Sequence, residues 1–179
     1  MIQLAGFALI GSSLFANAQA QERLTTGSFE FLVERAKATC ILNAAQECVG
    51  LLWAYADTSG DGLISVEESE NFLNVMKRWN STNTEKLRTR ATISMGLATA
   101  KVISVDYVIE RYDVDGDKML SPEEALADLR FDQRPLGDLL VDKDAVDRDG
   151  LSERFGLAGP VVYRLLRFTG TQLRATGAD

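Results

Sequence analysis

Two twelve-residue stretches carry oxygen-bearing side chains at matching offsets. In Asp57-Thr-Ser-Gly-Asp-Gly-Leu-Ile-Ser-Val-Glu-Glu68, the residues Asp57, Ser59, Asp61, Ser65 and Glu68 fall at positions 1, 3, 5, 9 and 12, with Gly62 at position 6 and Ile64 at position 8. Asp113-Val-Asp-Gly-Asp-Lys-Met-Leu-Ser-Pro-Glu-Glu124 repeats the arrangement 56 residues downstream. A hard divalent cation such as calcium takes about six to eight oxygens in a flexible sphere, and a tight twelve-residue bend converges them. In the first bend Asp57, Ser59 and Asp61 would give side-chain oxygens and Leu63 its carbonyl. Ser65 would hold a bridging water, and Glu68 would close the shell with both carboxylate oxygens. In the second, Asp113, Asp115, Asp117 and Glu124 are the side-chain donors, Met119 gives a carbonyl and Ser121 a water contact. Gly62 lets the turn take positive φ without a Cβ clash.

Each bend lies between helical segments, and units of helix, acidic bend and helix with these offsets resemble the EF-hand calcium-binding family, in the exported, bacterial-type form. The resemblance is specific over about 25 residues around each bend. It implies two bound calcium ions and bends that pair back to back. Two positions depart from the pattern. Ser59 stands where Asp or Asn is usual, which removes a charge and keeps an oxygen. Lys118 occupies the glycine position of the second bend, where a left-handed conformation costs about 1 kcal/mol.

Pairing requires partners. Leu63-Ile-Ser-Val-Glu-Glu68 has an echo in Val102-Ile-Ser-Val-Asp-Tyr107. On one reading, Gly96 to Tyr107 is a bend stripped of its ligands, with Ala98, Ala100 and Tyr107 where acids are needed, and it pairs with the first site. On the competing reading, Thr84 to Tyr112 is one continuous helix with apolar residues at a three-four spacing. A fourth unit is suggested by Asp147-Arg-Asp-Gly-Leu-Ser-Glu153, placed to pair with the second site. Aligned on Gly150, it has Ala145 at position 1 and Gly156 at position 12, so it lacks the closing Glu. The plainer reading is an acidic turn that caps a helix.

The elements that must position these bends read as helices. Ser28 to Leu42, Ala44 to Ala56 and Val66 to Trp79 show helical spacing, the last with an apolar face of Phe72, Val75, Met76 and Trp79. Asn80 to Asn83 is a polar linker, Ser121-Pro122 opens another helix, and a final amphipathic helix starts at Pro160. The class is all-α, with an N-terminal lobe over about 28–107 and a C-terminal lobe over about 104–170. Cys40 and Cys48 lie eight residues apart, about 12 Å of rise on an unbroken helix, beyond the reach of about 7 Å for a disulfide. A bond therefore requires a break between them, which Asn43 offers as the N-cap of the next helix, followed by Gln46.

Composition narrows the function. The chain has 179 residues, 46% of them hydrophobic and 25% charged, as in globular proteins. Its 19 basic against 26 acidic residues give a net charge of −7, which repels phosphate backbones and argues against nucleic acid. There is no histidine, so the commonest general base is missing. No G-x-S-x-G, G-x-x-x-x-G-K-[ST] or C-x-x-C pattern occurs, and the clustered acids are accounted for by metal ligation, so a carboxylate-based hydrolase is a minor alternative to a non-enzyme. The uncharged start, with an apolar run from Ile2 to Phe15 and Ala18-Gln19-Ala20 after it, reads as a signal peptide over residues 1–20, although no Lys or Arg precedes the run; the alternative is an N-terminal anchor or a buried first helix. That places the mature chain in an exported, periplasmic or secreted setting with no stable membrane insertion. The expected function is calcium binding that stabilises or regulates a protein–protein contact. The alternative is a passive calcium buffer or a calcium-stabilised scaffold. Arg164, Arg167 and Arg174 near the end read as solvated charge, with contact to an acidic partner or lipid head groups as the alternative.

Overall fold

The computed structural model describes residues 25–83 and 87–176, so the expected signal peptide lies outside the described residues. The described residues are all-α apart from one two-residue ladder and one isolated bridge. Helix α1 (Thr26–Leu42) begins at a reciprocal cap, in which Thr25 Oγ1 accepts from the Ser28 amide at 3.1 Å and Ser28 Oγ accepts from the Thr25 amide at 3.0 Å. Helix α2 (Ala45–Ala56) follows after a sharp corner. The first acidic bend leads through β1 (Ile64–Ser65) into α3 (Val66–Thr82), which extends past Trp79 into the segment expected as a linker. Then come α4 (Leu87–Val102) and α5 (Val105–Tyr112), the second acidic bend with β2 (Met119–Leu120), and the short helices α6 (Pro122–Ala125) and α7 (Leu136–Val141). Helix α8 (Arg148–Phe155) runs through a 3-10 turn (Gly156–Ala158) into α9 (Gly159–Thr176).

The corner between α1 and α2 brings Cys40 and Cys48 to a Cα separation of 4.6 Å, and they form the disulfide. The break lies where the sequence placed it, but Asn43 does a different job. It ends α1, donating its amide to the Thr39 carbonyl at 3.1 Å, while α2 starts after Ala44 with no side-chain cap. The Asn43 side chain instead donates to Glu47 at 2.6 Å.

The segment from 87 to 112 matches neither expected reading. Gly96 sits inside α4, so no bend forms there, and the helix stops at Ile103–Ser104 instead of running on. Ser104 then caps α5 by accepting from the Tyr107 amide at 3.3 Å. Local chemistry explains the break. A serine beside two β-branched residues competes with helix propagation and favours a cap.

Among the described residues, apolar burial forms three clusters. Phe29, Leu32, Val33, Val75, Trp79 and Ile93 join α1, α3 and α4, with the Phe29 ring edge-on to Tyr55, Phe72 and Trp79 at 5.7–6.0 Å. Trp79 donates its indole N–H to Glu30. Ile109, Tyr112, Leu120, Val146, Leu151 and Phe155 form the second cluster under the second bend. Ala45, Leu139 and Ala145 form the third beside the disulfide corner, where the Ala45 amide donates to the Arg134 carbonyl at 2.9 Å. Helix α9 lies along α7 so closely that a Cβ on Gly170 would fall 2.7 Å from Leu140 Cβ and 2.9 Å from the Gly137 carbonyl oxygen. Among the described residues no helix is long and apolar enough to cross a membrane.

Candidate metal centre

The two acidic bends meet each other. β1 and β2 pair antiparallel with Ile64 opposite Leu120 and Ser65 opposite Met119. Ile64 and Leu120 are both position 8 of their bends, so equivalent residues face across the ladder. This corrects two expectations: the first bend does not pair with residues 96–107, nor the second with the Asp147 region. Asp147 caps α8 instead, accepting from the Gly150 amide at 2.9 Å, and Val146 bridges to Leu129.

The same backbone scaffold holds both bends. In the first, Asp57 Oδ2 accepts from the Gly62 amide at 2.9 Å and Oδ1 from the Gly60 amide at 2.6 Å. In the second, Asp113 Oδ2 accepts from the Lys118 amide at 2.9 Å and Oδ1 from the Gly116 amide at 2.7 Å. Position 6 is left-handed in each, with φ of 88° at Gly62 and 66° at Lys118. Lys118 is the one non-glycine residue with positive φ among the described residues. The geometry of the bend therefore overrides the side chain's preference. Asp61 and Asp117 at position 5 accept from the amides of Leu63 (2.9 Å) and Met119 (2.7 Å), turning position 7 into place.

The carboxylates differ between the bends. Among the described residues, Asp113, Asp115 and Asp117 are the acids whose ligand oxygens all approach within 4.8 Å of one another, a group that could hold a metal ion. Asp115 and Asp117 are exposed. In the first bend Ser59 replaces the middle acid, and its hydroxyl lies 3.1 Å from Asp57 Oδ1. Asp57 and Glu68 are there nearly closed to solvent, at 9% and 7% exposure.

Glu68 and Glu124, the expected closing ligands, serve as helix caps. Glu68 Oε2 accepts from the amide and hydroxyl of Ser65 at 3.0 and 2.9 Å, while Ser65 accepts from the Glu68 amide at 3.2 Å. Its Oε1 accepts from the amides of Thr58 and Ser59, each at 2.9 Å, and from the Thr58 hydroxyl at 3.1 Å. Glu124 repeats this with Ser121 and with the Val114 amide at 2.7 Å. Ser-x-x-Glu is thus a capping box as well as positions 9 and 12 of the bend. Glu124 does not belong to the 4.8 Å group, so its carboxylate would have to turn from these donors to reach an ion bound there.

These donors set the acidity of both groups. Burial opposes ionisation of Glu68, but the Ser65 and Ser59 amides and the Ser65 and Thr58 hydroxyls together outweigh it and hold the carboxyl below its ordinary value. The Ser121 and Val114 amides, with the Ser121 hydroxyl, bring Glu124 down to about 2.

Several supporting residues escaped the sequence reading. Trp53 Nε1 donates to the Gly62 carbonyl at 3.0 Å and pins the first turn to α2. Tyr112, immediately before Asp113, donates its hydroxyl to the buried Asp128 at 2.6 Å. Arg154 also pairs with Asp128 at 3.2 Å and covers the Tyr112 ring at 4.7 Å. Burial, together with the Asp128 carboxylate, pushes the Tyr112 phenol up from its ordinary value. Thr58 holds Glu68. The only local signal was the Ser-x-x-Glu spacing, because the other contacts join residues from 9 to 42 positions apart. Compared with known proteins, the chain matches no family model, no curated protein and no solved structure.

Proposed function

We propose that the protein is an EF-hand-type calcium-binding protein that holds one ion in each bend. The carrying observation is the ladder that sets position 8 of one bend against position 8 of the other, over the same position-6 amide to position-1 carboxylate bond in both. On this reading Asp57, Ser59, Asp61, Leu63 and Glu68 ligate the first ion with Ser65 holding a bridging water, and Asp113, Asp115, Asp117, Met119 and Glu124 ligate the second with Ser121 holding a water. The ion relieves repulsion among carboxylates crowded within one bend. Binding to the folded state stabilises it by about 2.7 kcal/mol when free calcium is a hundredfold above the dissociation constant.

Calcium acts here by holding the helix arrangement that a protein partner meets, in an exported compartment. The disulfide supports an oxidising setting, where calcium modules are tuned to about 10⁻⁴–10⁻³ M. The reading assigns no catalytic role. One observation favours a purely structural variant, a scaffold without a regulated partner: Phe72, Met76 and Trp79, the residues a target groove would need, pack in the first apolar cluster. Calcium that raises the melting temperature without increasing dye-accessible apolar surface selects the scaffold; a rise in dye binding selects the regulated contact.

The deciding experiment is a calorimetric calcium titration of the chain and of its Glu68→Gln and Glu124→Gln variants. Two sites are expected in the parent and one in each variant. A parent stoichiometry of zero overturns the proposal.

A further inference from the structure

The surface at the start of α9 concentrates charge of the opposite sign. Arg148, the first residue of α8, and Arg164 and Arg167 on α9 line one half-open depression of about 420 Å³ together with Pro160 and Tyr163. The Cζ atoms of Arg148 and Arg167 each lie 5.8 Å from the centre of the Tyr163 ring, so a single ring collects two cations. Among the described residues, none of these three guanidinium groups pairs with a carboxylate. Other arginines do: Arg134 binds Asp132 and Asp142, Arg154 binds Asp128, and Arg174 binds Asp138. In a chain with seven more acids than bases, three neighbouring guanidinium groups without an acid form a local field that attracts an anion.

We propose that Arg148, Arg164, Arg167 and Tyr163 bind a small phosphate monoester. Guanidinium forks match phosphate oxygens bidentately, and three forks suit a dianion with three terminal oxygens. The depression is larger than one phosphate and falls within the range of about 300–1,000 Å³ of small-molecule pockets. Pro160 and the edge of the Tyr163 ring not covered by the guanidinium groups are the apolar lining left to an organic part. An anionic bilayer is the weaker occupant although the exposed Leu157 and Val161 lie nearby, because the net charge of −7 repels such a surface. The inference uses none of the residues of the acidic bends and stands apart from the calcium reading.

Phenyl phosphate, which joins a dianion to a ring, is the probe. It is titrated calorimetrically into the full chain at low ionic strength with a chelator present. One site is expected, weakened about tenfold or more in the Arg164→Ala/Arg167→Ala double variant, a loss of at least about 1.4 kcal/mol. Arg148→Lys, which keeps the charge and loses the fork, falls between. Because all three arginines are exposed, the variants lose at most the contacts to Tyr163 and melt within a few degrees of the parent. Absence of binding, or equal affinity in parent and double variant, overturns the proposal. So does sedimentation with vesicles of phosphatidylcholine and phosphatidic acid in the absence of phenyl phosphate binding, which reassigns the face to a membrane surface.

Discussion

Lys118 shows how far a bend can dictate to a residue. Its backbone is left-handed because the amide must reach Asp113, as the Gly62 amide reaches Asp57. A side chain in that conformation costs about 1–2 kcal/mol, whereas glycine adds about 0.4–1 kcal/mol of unfolded-state freedom. Lys118→Gly is therefore expected to raise the urea midpoint by the equivalent of about 0.5 kcal/mol and, on the calcium reading, to tighten binding by removing a cation from a bend that carries three aspartates. An unchanged midpoint means that the lysine side chain makes up the difference. Glu124 gives a second test at this scale. Its folded value of about 2 lies below the ordinary 4.5, so the stability it contributes is fully present above about pH 4.5 and fades as the pH falls towards 2. In chelator, Glu124→Gln should flatten the decline of the urea midpoint across that window; parallel declines in parent and variant would show that the capping hydrogen bonds do not set acid stability.

Among the elements, three helices open at a serine that accepts from an amide three residues on: Ser65, Ser104 and Ser121. That shared cap accounts for the echo between residues 63–68 and 102–107. A Ser-Val-acid stretch marks a helix start whether or not a ligand bend precedes it, so the echo was true of the cap and misleading about the bend. The acidic offsets, the break between the cysteines and the helices around them were legible because their causes are local. The partner of each bend was not, because two-residue strands carry almost no pattern and the pairing spans 56 residues. The α7–α9 contact was equally hidden, since Gly137 and Gly170 declare themselves only where two backbones approach. There Gly170→Ala would place a methyl 2.7 Å from Leu140 Cβ. Overpacking of this kind costs about 1–3 kcal/mol, to be read as a fall in melting temperature. A neutral result would mean that the two helices can move apart freely.

At the scale of the molecule, the disulfide and the acidic bends brace different regions. The bond closes the α1–α2 corner against the third apolar cluster, whereas the bends sit over the second. Cys40→Ala/Cys48→Ala should lower stability by about 2–3 kcal/mol through a freer unfolded chain, with the calcium stoichiometry unchanged. Loss of a calcium site in that variant would show that the corner and the bends are mechanically joined.

The ladder of Ile64, Ser65, Met119 and Leu120 is too short to persist alone. Each acidic bend is held by its own hydrogen bonds, and the ladder joins it to a neighbour far along the chain. On the calcium reading, an ion that tightens one bend acts on the other through this ladder, and thermodynamic reciprocity makes that coupling equal in both directions.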